Sequence, residues 1–188
     1  MVKVTKEIQI SENHPDLNEK LFFFISGIII SVPFTVFFQN LGSTLGNYMT
    51  EFYAVLWSVS VLAPIIEEFG KAYPLFFRHG ETEKSLFLIG FLIGLGFGLA
   101  EFFLYVLVFD VPPIIRLPGL IFHASNTAIV AYGVSKNQTI RYYFVAVFLH
   151  FLYNFSVTLE SFWYIVAFIT VIVNYTLFFF LYRKVRKG

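Results

Sequence analysis

Apolar residues run in long uninterrupted blocks along this chain. The first extends from Leu21 to Phe38, and others cover about 52–77, 86–109, 117–135, 141–159 and 162–182. Each approaches the ~20 residues a helix needs to cross the hydrocarbon core of a bilayer. The pattern predicts an all-α, polytopic transmembrane helical bundle of about six spans. Residues 1–20 are polar and of mixed charge. A secretory leader would start with a short basic stretch and pass at once into an apolar core, so the first block reads as a retained span. The expected division is an N-terminal segment 1–20, a membrane-embedded domain 21–182 and a basic tail 183–188.

Composition sharpens this picture. Charged residues make up 13% of the chain and hydrophobic residues 57%. A soluble domain carries ~25% charged residues, so this chain lacks the polar surface to cover a water-soluble globule. There is no cysteine, which removes thiolate nucleophiles and Cys-ligated zinc. A net charge of +1 suggests no nucleic-acid partner. The basic residues fall almost entirely on one side of a six-span topology. Lys3, Lys6, Lys20, Arg78, Lys84, Lys136, Arg141, Arg183, Lys184, Arg186 and Lys187 share that side, against Arg116 on the other. This asymmetry predicts cytoplasmic termini, in a multi-pass protein of the plasma membrane.

The polar residues inside the blocks carry the chemistry. Glu67, Glu68 and Lys71 lie in the second block, Glu101 in the third, His123 with Asn126 and Thr127 in the fourth, and His150 with Asn154 in the fifth. A charge near the bilayer centre costs ~3 kcal/mol on insertion scales, so these groups persist only if they face the interior and interact. Helical spacing lets Lys71 reach both carboxylates, and it puts His150 and Asn154 on one face. Pro64, Gly70 and Pro74 bracket Glu67–Lys71, and Pro74 cannot donate to the carbonyl of Gly70, so a break and a wet pocket are expected at the level of the carboxylates. Gly90, Gly94 and Gly98 form a small-residue stripe suited to close helix packing, or to leaving room for an extended substrate segment. Three carboxylates, two imidazoles and an amide are the parts for activating water and holding an oxyanion. No serine or threonine pairs with the set by spacing, which favours direct water attack. A proton- or ion-coupled transporter using the same groups as a relay is the alternative, and a non-catalytic scaffold is a third reading.

Four motifs carry a resemblance. EEFGK (Glu67–Lys71), FGLAE (Phe97–Glu101), HASNTA from His123 and HFLYN (His150–Asn154) resemble, in order and over about residues 60–158, the motifs of the PrsW family of intramembrane proteases. That family is related to type II CAAX prenyl proteases and bacteriocin-processing membrane proteases, whose EExxxR and FxxxH patterns differ here at Lys71 and Glu101. The resemblance implies hydrolysis of a peptide bond in a single-span membrane protein, such as an anti-sigma factor, by Glu67, Glu68, Glu101, His123, His150 and Asn154, with Lys71 balancing charge. Two points stay open. Spacing pairs Glu67 with Lys71 and leaves Glu68 as base, whereas the resemblance makes Glu67 the base. The carboxylates and imidazoles could also hold zinc or another divalent metal, although HExxH is absent. The preferred expectation is a reaction that requires no cofactor.

Overall fold

The structure is a computed structural model that describes residues 14–77 and 82–187. Arg78, His79, Lys3 and Lys6 lie outside the described residues. Among the described residues, six helices are long and apolar enough to cross a membrane: α1 (Leu17–Tyr48), α2 (Glu51–Phe77), α3 (Glu83–Leu107), α4 (Pro113–Ser135), α5 (Thr139–Leu159) and α6 (Ser161–Lys187). The expected all-α, six-span bundle is the observed fold.

Helix α1 is longer than its apolar block at both ends. It begins at Leu17 because Asp16 and Glu19 form a reciprocal capping box, with Asp16 Oδ1 accepting from the Glu19 amide at 2.8 Å and Glu19 Oε2 accepting from the Asp16 amide at 3.1 Å. It continues past Phe38, and Gln39, Asn40 and Ser43 in this extension line a cavity. A wide π turn at Gly27–Ser31 divides α1 into two halves. Before the turn, α1 lies backbone to backbone on α3, and a Cβ added to Gly27 would come within 2.9 Å of the Phe97 amide nitrogen. After the turn it packs on α2. Ser31 Oγ donates to the Gly70 carbonyl at 3.0 Å, and Trp57 Nε1 donates to the Gly42 carbonyl at 3.1 Å.

The glycine stripe of α3 is filled by α4. A Cβ on Gly94 would stand 2.8 Å from Ala124 Cα, and one on Gly98 would stand 2.9 Å from the Leu120 carbonyl oxygen. The expectation that this face leaves room for a substrate segment is therefore corrected: the missing side chains are what let the two backbones meet. The open space lies elsewhere. A cavity of about 740 Å³ separates the second half of α1 from α3, α4 and α5.

Helix α2 breaks where expected. Its last turn, Tyr73–Phe77, tightens to a 3-10 helix at Pro74. The cavity reaches Glu67 and extends along a second irregular stretch, the π segment Leu56–Leu62 before Pro64, while a smaller cavity of about 470 Å³ lies beside Tyr73, Pro74 and Phe77. Among the residues lining the larger cavity are Ser58 and Val59 from that segment.

Candidate active site

The two adjacent carboxylates of α2 point in different directions. Glu68 is fully buried and its Oε1 is a hub. It accepts from Lys71 Nζ at 2.7 Å, His150 Nδ1 at 2.8 Å and Asn126 Nδ2 at 3.3 Å. Glu67 faces the cavity. Its Oε1 accepts from Gln39 Nε2 at 3.3 Å, and its buried Oε2 has no hydrogen-bond partner. His150 Nε2 stands 3.8 Å from that oxygen. The pairing expected from spacing, Lys71 with Glu67, is not the one formed. Lys71 also donates to His123 Nδ1 on α4 at 2.9 Å, and this second acceptor draws the ammonium to the Glu68 side.

The hydrogen bonds fix the histidines. A lysine ammonium has three donors and no lone pair, so His123 Nδ1 accepts. Its hydrogen then sits on Nε2, which donates to Glu101 Oε2 at 2.7 Å. His150 is the reverse case. Its Nδ1–H donates to the Glu68 carboxylate, leaving Nε2 as the atom that meets the cavity. The two imidazoles touch edge to face, with centroids 5.1 Å apart.

Asn154 lies one turn beyond His150 and lines the same cavity. Its Nδ2 donates to the Val59 carbonyl at 2.9 Å. That carbonyl is available because of Pro64. In the π register, the Ala63 amide bonds to the Ser58 carbonyl, so the next carbonyl would look to residue 64, which has no N–H. Helix α5 is tied to α2 along one face by Tyr143 Oη to the Ile65 carbonyl at 2.8 Å, His150 to Glu68, Asn154 to Val59, and Ser60 with Thr158 at 3.4 Å.

All six expected site residues and Lys71 thus come together around one cavity or directly behind it. Thr127 turns away and bonds the His123 carbonyl on its own helix at 3.0 Å. Three participants were not anticipated. Gln39 reaches Glu67 from α1. Arg116, read only as the lone basic residue of its side, places Nη2 3.0 Å from Glu101 Oε2 and its guanidinium over Tyr105 at 3.7 Å. Asn174 on α6 donates to Asn126 Oδ1. The available signal for Asn174 was a lone amide in the middle of the last apolar block.

The model of the PrsW family, described as intramembrane metalloproteases, matches residues 18–182. The chain belongs to the PrsW family. No curated protein and no solved structure matches it. PrsW membership and six apolar spans make this an integral, multi-pass membrane protein with an intramembrane protease domain.

The family description raises the question of a metal. One ligand atom each from Glu67, His123 and His150 lies within 4.8 Å of the others, close enough to hold an ion. Glu67 Oε2 and His150 Nε2 suit that role, since both are otherwise unengaged and His150 is backed by a carboxylate. His123 does not. Its Nδ1 lone pair is taken by Lys71 and its Nε2 hydrogen is given to Glu101. Zinc enzymes use three protein ligands, and His123 would join Glu67 and His150 as the third only by giving up one of these two hydrogen bonds.

Proposed function

We propose that this PrsW protein hydrolyses a peptide bond of a single-span membrane protein by direct attack of water, with Glu67 as general base and without a metal. The observation that carries the reading is the buried, unpartnered Oε2 of Glu67 facing the cavity beside His150 Nε2. A water resting between them gives its proton to Glu67, and the hydroxide adds to the scissile carbonyl carbon. The oxyanion sits against the second Nδ2 hydrogen of Asn154 and against His150. Three carboxylates face two fixed cations, Lys71 and Arg116. One further proton brings the cluster to neutrality, and on His150 Nε2 it becomes an oxyanion donor. Collapse of the adduct breaks the C–N bond, and the leaving amine takes the proton held by Glu67. Glu68 and Lys71 orient His150 and balance charge. His123 and Arg116 hold Glu101 at the cavity wall.

The donor set supports the metal-free form, because neither nitrogen of His123 is free. The basic asymmetry supports a bundle whose termini face the cytoplasm, in the plasma membrane, with the substrate reaching the cavity from within the bilayer. An anti-sigma-factor-like substrate is the inference from the family. Incubation of the purified protein with single-span peptides, read by mass spectrometry, tests the reading. Cleavage is expected to fall on the order of a thousandfold in Glu67→Gln, within the range a general base contributes. Undiminished cleavage by a folded Glu67→Gln variant would overturn the assignment.

A further inference from the structure

Helix α6 carries none of the four motifs, yet one of its side chains is built into the site. Asn174 is fully buried and donates to Asn126 Oδ1. Asn126 is also fully buried, and its Nδ2 donates to two acceptors, Glu68 Oε1 at 3.3 Å and the Ala146 carbonyl at 3.1 Å. A carboxylate and a carbonyl cannot donate. The Asn126 amide must therefore turn its NH₂ toward them and its oxygen toward α6. The group that meets that oxygen has to be a donor, and Asn174 Nδ2 supplies it.

We propose that Asn174 is a positioning residue for the reaction. It holds the Asn126 amide in the one orientation that gives Glu68 its third donor and joins α4 to α5 at the turn before His150. The Ala146 carbonyl lies four residues before His150 on α5, so the same amide sets the depth of His150 as well as the charge behind it. Without the α6 donor, the buried Oδ1 of Asn126 is left unpaired, and the amide is free to tilt away from Glu68 and the Ala146 carbonyl in search of another donor. The effect reaches the cavity through Glu68 and His150, and Asn174 itself touches no reacting atom.

This inference rests on the protease reading for its kinetic consequence and not for its structural one, so the test has two readouts. In imidazole-labelled protein, the Nδ1–H of His150, bonded to Glu68, gives a far-downfield proton signal by NMR. Asn174→Leu, which keeps the volume and removes the donor, is expected to displace that signal. Asn174→Ser, which keeps a hydroxyl donor, is expected to restore it. On a single-span peptide that the parent protein cleaves, Asn174→Leu is expected to lower kcat on the order of tenfold, the equivalent of about 1.4 kcal/mol, at unchanged KM. In an Asn126→Ala background it should add nothing. An unmoved His150 signal refutes the inference whether or not peptides are cut. A displaced signal with no cleavage by the parent protein leaves the positioning role intact and sinks the protease reading. If Asn174→Leu does not fold, Asn174→Ala is read the same way. A failure of both to fold while Asn174→Ser also loses activity assigns Asn174 to folding alone and overturns the proposal.

Discussion

Replacing Gly94 by alanine tests whether the glycine stripe sets the geometry of the site. The new Cβ would meet Ala124 Cα at 2.8 Å and Thr127 Oγ1 at 2.7 Å. The threonine hydroxyl can rotate, but the Ala124 backbone cannot. Ordinary contact begins at 3.4 Å and the backbone carbonyl oxygen of His123 lies closer still, so α4 must move from α3 by more than about 0.6 Å at this point. Residue 124 follows His123, and the displacement is delivered to the imidazole that links Lys71 to Glu101. Overpacking of this kind costs about 1–3 kcal/mol of stability, and a misplacement approaching 1 Å at a reacting constellation costs up to about a hundredfold in rate. Gly94→Ala should therefore lower the unfolding temperature in detergent modestly and peptide cleavage severely. Gly119→Ala is the control. It lines the same cavity, and its added Cβ would meet only Arg116 Nη2, at 4.0 Å. Wild-type cleavage by Gly94→Ala, or equal losses in both variants, would show that close packing of α3 on α4 does not hold the site.

Two further outcomes follow from the hydrogen-bond network. Glu68→Gln removes the charge that Lys71 and His150 share and leaves a buried ammonium partly uncompensated; a loss of about 3–5 kcal/mol in stability is expected by denaturant titration, where Glu67→Gln should lose far less. Strict chelation should leave peptide cleavage unchanged; a stoichiometric metal found by elemental analysis, whose removal ends turnover, would refute the metal-free reading.

The six spans were legible because a bilayer demands length and apolarity and little else. What escaped the pattern is where polar groups serve an interior surface instead of ending a span. Gln39, Asn40 and Ser43 lie beyond the apolar block that ends at Phe38 and are helix, and all three line the cavity. The convergence of Glu67, Glu68, Glu101, His123 and His150 was readable from the cost of stranded charge. The partner of Lys71 was not. Helical spacing alone favours Glu67, and only the acceptor on α4, fifty-two positions away in the chain, draws the ammonium to Glu68. Tautomers were unreadable for the same reason, since each is set by a neighbour on another helix. The glycine stripe was recognisable as packing, but the second close approach, Gly27 of α1 against α3, needed the π turn to be known.

The prolines of α2 connect its irregular backbone to its chemistry. Pro74 frees the Gly70 carbonyl and Pro64 frees that of Val59, and within a membrane each freed group must find a donor. Ser31 of α1 supplies the first and Asn154 of α5 the second. The turn bearing Glu67 and Glu68 is thus pinned at both ends by its neighbours, and the pin at Val59 is also the proposed oxyanion donor. The two duties of Asn154 can be separated. Asn154→Leu should cost about 1–2 kcal/mol of stability, the worth of an interhelical hydrogen bond in a membrane, and should remove cleavage. Adding Pro64→Ala returns an N–H to position 64, within reach of the Val59 carbonyl. The double variant should regain unfolding temperature without regaining cleavage. If stability and activity return together, Asn154 serves the backbone alone, and the oxyanion must be held by His150 without it.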